Sequence, residues 1–100
     1  YVANWPSPRR HAWRTLLRAR AIENLAYCVG VNRVGVDGNQ LPYAGDSVAL
    51  DYLGEAIVEL GSDAGVVTAR LSAERLATHR ERFPAWMDAD AFALETRTRS

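Results

Sequence analysis

The spacing of apolar positions changes repeatedly along this chain, and each change marks a different predicted element. Residues 1–4, Tyr-Val-Ala-Asn, read as the end of a strand, stopped by the two prolines of Trp5-Pro6-Ser7-Pro8. Proline fixes φ and removes a backbone donor, and Ser7 or Pro8 is suited to open a helix. From Arg9 to Tyr27 there is no Gly or Pro, and Ala, Leu and Arg dominate, which predicts a long helix. At about 100° per residue, Trp13, Leu16, Leu17, Arg20, Asn24 and Tyr27 share one side, while Arg10, Arg14 and Arg18 form a neighbouring stripe. Arg20 and Asn24 thus fall inside an apolar side.

Past that helix, Val29, Val31 and Val34 with Gly30 and Gly35 predict a buried strand over 28–36, its glycines admitting another backbone closely. Asp37-Gly38-Asn39, Pro42 and Gly45 predict an irregular loop as far as Asp46, a stretch available as binding surface. Residues 47–52 and 55–60 read as a hairpin around Leu53-Gly54, and 66–71 as a further strand. Ser72 is a good N-cap for a helix through Arg82, with Glu74 in its first turn, and Phe83-Pro84 closes it. Residues 85–94 carry Trp86, Met87, Phe92 and Leu94 among Asp88 and Asp90, an amphipathic segment able to lie on another surface. Residues 95–100 read as a frayed tail. The order is a mixed α/β layer arrangement whose helices share one sheet face, with no repeat, low-complexity stretch or internal boundary.

Composition narrows the chemistry. The 100 residues are 48% apolar and 24% charged, ordinary for a packed globular protein. Tyr1 in place of Met, opening a strand-like Tyr-Val-Ala, suggests a piece of a longer chain. Twelve basic and twelve acidic residues give zero formal charge, which removes a global drive toward nucleic acid or anionic membrane. All the basic residues are Arg, so no lysine here can form a Schiff base or stabilise an oxyanion. One Cys cannot form an internal disulfide, and no Cys/His spacing resembles a zinc site. No apolar run is long enough to span a bilayer, and the default setting is the reducing cytoplasm.

Several residues carry two readings. Trp5, at a strand end beside two prolines, is either a rigid aromatic wall limiting substrate volume or a core corner. Asn4 offers an amide to substrate or, as favoured here, satisfies the loop backbone. Tyr43, Asp46 and Ser47 can line a pocket mouth or merely belong to a connector. Ser47 lacks a nearby His and a nucleophile-elbow pattern. Arg20, Glu23 and Asn24 form a cluster in which Arg20 and Glu23, three apart, can pair; a structural ion pair, against the sheet or a partner subunit, is favoured over an extra acid or base. Cys28 opens a Val/Gly-rich strand and reads as a small buried hydrophobe. His11 and His79 are assigned to solvated faces. The stripe of Arg9, Arg10, Arg14 and Arg18 supports a competing reading, a stand-alone module binding an acidic partner or nucleic acid, although aromatic interleaving is poor.

Three stretches resemble the nitrilase superfamily of carbon-nitrogen hydrolases. Ala3-Asn4-Trp5-Pro6 is similar to the strand end and loop beside the substrate pocket, followed by Trp13 and by Arg18-Ala19-Arg20-Ala21-Ile22-Glu23-Asn24. Val31-Asn32-Arg33-Val34-Gly35, Tyr43-Ala44-Gly45-Asp46-Ser47 and Asp51-Tyr52-Leu53-Gly54 resemble the strand, loop and hairpin that follow. Phe83-Pro84-Ala85-Trp86 with Asp88-Ala89-Asp90-Ala91-Phe92 looks like the tail of the omega-amidase branch. The resemblance implies the C-terminal part of a four-layer αββα sandwich. It also implies hydrolysis of a small omega-amide by a Cys nucleophile, a Glu base and a Lys, without metal or organic cofactor. All three catalytic residues would precede this stretch, so none is expected here, and Cys28 is not the nucleophile. A homo-oligomer is implied, with no nucleic-acid or membrane partner.

Overall fold

A computed structural model describes residues 1–96 of the chain. In chain order the elements are β1 (Val2–Ala3), a 3-10 turn (Ser7–Arg9), α1 (Arg10–Glu23), β2 (Cys28–Asn32), β3 (Val34–Val36), β4 (Pro42–Ala44), β5 (Ser47–Leu50), β6 (Ala56–Gly61), α2 (Ala73–Arg82) and a second 3-10 turn (Ala85–Asp88). Strands β1, β2, β5 and β6 form one sheet in that order, β1 parallel to β2 and the other neighbours antiparallel. Strands β3 and β4 form a separate two-stranded ribbon.

Helix α1 lies on one face of the sheet. Along β2, Cys28, Gly30 and Asn32 are buried while Val29 and Val31 are exposed on the opposite face, as a two-residue repeat demands. The core joins Trp13, Leu17 and Ala21 of the helix to Cys28, Val48 and Leu50 of the sheet. The contact is close because Gly30 has no side chain. A Cβ there would stand 2.6 Å from Leu17 Cδ1 and 2.9 Å from Trp13 Cζ2.

The inward stripe is therefore Trp13, Leu17 and Ala21, spaced four apart, rather than the wider side expected; Leu16 is 44% exposed, and Arg20 and Asn24 face out. The helix also stops at Glu23 instead of running to Tyr27. Leu25 turns into the left-handed region at φ 50°, and Ala26 N–H reaches back to Ala21 O (3.1 Å) while Leu25 N–H reaches Ile22 O (3.3 Å). This is a Schellman termination, in which Gly is usual. Burial of the Leu25 side chain offsets a left-handed penalty of roughly 1–2 kcal/mol.

The expected strand over 28–36 is two strands, divided at Arg33, and the expected loop to Asp46 contains β4. Asp37 explains the ribbon: its Oδ1 accepts from Asn39 N–H (2.8 Å) and Leu41 N–H (3.0 Å), closing the turn between β3 and β4. The expected hairpin of β5 and β6 is present. Residues 66–71 make no ladder. Val66, Val67 and Leu71 instead line an open trough of about 580 Å³ with Val29, Val31 and Val58.

Ser72 caps α2 as expected, its Oγ accepting from Arg75 N–H at 3.1 Å. The helix is held to the body by Tyr27, whose hydroxyl donates to Ser72 O (3.1 Å) and accepts from Ser72 N–H (3.0 Å), and by Arg80 Nε, which donates to Leu25 O (2.9 Å). In the amphipathic segment 85–94, Trp86, Met87, Phe92 and Leu94 are all exposed. The tail expected to fray extends beyond Thr96, outside the described residues.

Candidate functional site

Strand β1 ends at Ala3 and delivers Trp5 to the rim of the sheet, where the chain is gripped on both sides of one residue. Asn32, the last residue of β2, accepts from Trp5 N–H through Oδ1 (2.7 Å) and donates from Nδ2 to Trp5 O (3.0 Å) and to Gly45 O (2.9 Å). The Trp5 indole N–H donates to Arg9 O (2.6 Å), its ring packs against Trp13 with centroids 5.7 Å apart, and the Arg9 guanidinium lies 5.5 Å from it. Trp5 is half-buried and packs against the core, so its ring serves as a corner of the core.

The second side of the rim is Gly45-Asp46. Asp46 sits at φ 57°, its N–H bonded to Gly61 O (2.9 Å) and its carbonyl accepting from the Trp13 indole (2.9 Å). Arg10 holds its carboxylate through two contacts, Nε to Oδ2 at 2.6 Å and Nη2 to Oδ1 at 3.2 Å. Ser47 Oγ accepts from Asn32 N–H (2.9 Å) and donates to Asn32 O (3.2 Å). Gly45, Asp46 and Ser47, at the entry to β5, are thus fixed against one asparagine and one arginine.

Tyr43 stands on β4, which runs beside the 3-10 turn that follows Trp5. Its hydroxyl donates to Asp37 Oδ2 (2.9 Å), and the Arg33 guanidinium lies 4.5 Å over its ring. The Leu41 amide, followed by the Tyr43 hydroxyl, holds the Asp37 carboxyl below the ordinary carboxylate range, and the same Asp37 contact pushes the Tyr43 phenol up. Asn4 is exposed beside Trp5.

Arg20, Glu23 and Asn24 lie at the opposite end of α1 from this rim. Arg20 and Glu23 are paired, and Asn24 Nδ2 donates to Arg20 O (2.9 Å). All three are exposed, so their arrangement is a helix-end cap on the surface rather than a buried ion pair. Cys28 is buried beneath α1, and burial pushes its thiol up, the opposite of what a nucleophilic thiolate requires. His11 is exposed as expected. His79 is not on a solvated face: it is half-buried, stacked on Tyr52 (4.5 Å) and near Phe83 (6.2 Å). In the arginine stripe, Arg10 is engaged by Asp46 and Arg18 by Glu59 at 3.0 Å.

Asn32 was not among the candidates from sequence, although a polar residue in phase with Cys28 and Gly30 on the inward side of a Val-rich strand is the signal that marks it. No group of three or more His, Cys, Asp or Glu among the described residues is arranged to hold a metal. The rim joins a half-buried aromatic plate, fixed backbone and hydrogen-bonding groups.

Comparison with known sequences settles the family. The profile of the carbon-nitrogen hydrolases matches residues 2–81. The chain belongs to that family. It is 53% identical over 95 residues to the Omega-amidase YafV of Escherichia coli K12, a match covering 94% of this chain and 37% of that protein. It is 36% identical over 86 residues to the 2-oxoglutaramate amidase of Bacillus subtilis, covering 86% of this chain and 33% of that protein. Among solved structures, a carbon-nitrogen hydrolase superfamily protein from Xanthomonas campestris, described with an arsenic adduct in its active site, superposes with a TM-score of 0.89 at 61% identity over 93% of this chain and 35% of that one. The chain therefore spans about a third of the length of these carbon-nitrogen hydrolases, and its sheet, helix and ribbon have the fold of the nitrilase superfamily.

Proposed function

We propose that these 100 residues are the C-terminal part of a single-domain omega-amidase and provide one wall of its substrate pocket, with Trp5 as the wall and Asn4 and Tyr43 beside it. The observation that carries the reading is the grip on Trp5: both backbone groups of that residue are bonded to a buried asparagine, and its indole to Arg9 O. An aromatic plate held this firmly limits the volume of a bound acyl chain at little conformational cost.

In this reading the reaction runs on groups outside these residues. A Cys thiolate attacks the amide carbon, and the tetrahedral oxyanion forms beside a Lys. The carbon-nitrogen bond breaks as the Glu carboxyl protonates the departing ammonia, and water then cleaves the thioester to return the thiol and a carboxylate. The absence of Lys from the sequence and the burial of Cys28 both support the assignment of that chemistry elsewhere. The similarity to a 2-oxoglutaramate amidase supports an omega-amide of a 2-oxo dicarboxylic acid as the substrate class. The uncovered sheet face bearing Val29 and Val31 would pack against the other sheet of the sandwich. A cytoplasmic homo-oligomer completes the proposal; the exposed Leu16, Ile22 and Leu53 support an interface between subunits.

The test is the intact mass of the protein from its source, with ammonia release from a panel of small amides. A mass well above 11.1 kDa with Cys-dependent release, fastest on 2-oxo omega-amides, is expected. A natural product of 11.1 kDa that folds cooperatively and releases no ammonia would overturn the reading.

A further inference from the structure

Asn32 is among the few polar residues buried within the described chain, and its contacts go mostly to one place. A carboxamide has one acceptor and two donors, and here the acceptor meets Trp5 N–H while the donors meet Trp5 O and Gly45 O. Both backbone polar groups of Trp5 are thereby satisfied by one side chain, as a neighbouring strand would do it, at a point where β1 has already ended and offers no ladder. Gly45 is drawn in by the same amide. It cannot shift to compensate, because Arg10 and the Trp13 indole hold Asp46. The chemistry is specific to this side chain: aspartate would aim a second oxygen at two carbonyls, and an aliphatic residue would leave an N–H and two carbonyls without partners.

From this geometry we infer that Asn32 is the positioning residue for the Trp5 wall, setting where the ring stands and hence which acyl lengths the pocket admits. The inference rests on the proposed role of Trp5. Asn32 does not touch substrate; it acts only through the residue it grips.

The experiment uses the full-length enzyme and a series of omega-amides of dicarboxylic acids of increasing chain length. The variants are Trp5→Ala, Asn32→Ala, Asn32→Asp and the double variant Trp5→Ala/Asn32→Ala, each checked by circular dichroism. Loss of binding shared by ground and transition state raises KM with kcat held. Each single variant is expected to raise KM for the preferred amide about tenfold with kcat within about threefold, and to narrow the difference between short and long amides. Because the two residues form one unit, the double variant should stay near tenfold rather than reach about a hundredfold.

An effect of the double variant equal to the product of the singles would make Asn32 independent of Trp5 and overturn the inference. So would an Asn32 series that leaves KM and chain-length preference unchanged while Trp5→Ala alters both. If Trp5→Ala itself changes neither, the pocket-wall reading falls and the inference falls with it, a result distinct from the first two. Asn32→Asp matches the native side chain in size and carries the test if Asn32→Ala does not fold. Loss of the folded state in both would assign Asn32 to stability alone and overturn the inference.

Discussion

Residues 1–50 and 51–96 are built from similar materials and end in different states. Every buried residue among those described lies between Pro6 and Leu50. The second half has Val66, Phe83, Trp86, Met87, Phe92 and Leu94, yet each is more than half exposed. The first half closes a core because α1 lies on β2 and β5, with Gly30 removing the side chain that would hold them apart. The second half is joined to it by the β5–β6 ladder and the Arg18–Glu59 ion pair, and α2 is tethered by Tyr27 and Arg80. Apolar composition alone thus does not make a core; a second surface within reach does. Under the proposed function, that surface for the second half would be the rest of the enzyme.

The sharpest way to break this contrast is to truncate one large side chain in each half. Leu50→Ala removes a fully buried residue and is expected to cost about 2–5 kcal/mol, whereas Phe92→Ala in the 100-residue chain should stay within about 0.5 kcal/mol. Urea denaturation midpoints compare them directly, and equal losses would show that the second half has a core of its own.

Overpacking the seam comes next. Gly30→Ala forces a methyl against Leu17 and Trp13, with an expected loss of about 1–3 kcal/mol in the same assay. A neutral result would mean that α1 stands off the sheet. Smaller again is Tyr27→Phe, which deletes both hydroxyl contacts to Ser72 and is expected to cost about 1 kcal/mol. Hydrogen exchange should localise that change, with α2 amides exchanging faster and those of β2 and β5 unaltered. Equal acceleration throughout would contradict the tethered picture.

The smallest effect is the pH response of the exposed ribbon. The folded Asp37 carboxyl is depressed, so its contribution is present above the ordinary value of 3.8 and is lost as pH falls through the lower folded value. The Tyr43 phenol is raised, so its contribution is present below 10.0 and is lost as pH rises through the higher folded value. The Asn39 and Leu41 amide resonances should report the acid step, and Asp37→Asn should abolish it. A step at the ordinary carboxylate pH in the native protein would refute the turn geometry.

Part of the rim was legible beforehand. The prolines after Trp5 stop β1 wherever the chain is placed, and Trp5 and Tyr43 were singled out from their positions beside loops. Asn32 was harder to see, since its partners lie 27 and 13 residues away and a single asparagine in a strand has many uses. Helical spacing puts Arg20 and Asn24 on the side of Trp13, Leu16 and Leu17, whereas the buried stripe runs through Trp13, Leu17 and Ala21 and leaves Arg20, Glu23 and Asn24 exposed. The positive φ of Leu25 ends α1 before the predicted Tyr27, and burial of that side chain is a tertiary event that local propensity does not report.

By itself the sequence determined what is encoded locally. Ser72 caps α2, alternation in β2 assigns its two faces, and the family words identify the carbon-nitrogen hydrolase fold. Tertiary structure alone decided which of several apolar stripes faces inward, that residues 66–71 find no strand to pair with, and that one asparagine holds both backbone groups of Trp5. The physical reason is reach: caps and periodicities act within a turn or two of the chain, whereas burial and hydrogen bonding between β1, β2 and the Gly45 loop exist only once distant residues have been brought within about 3 Å.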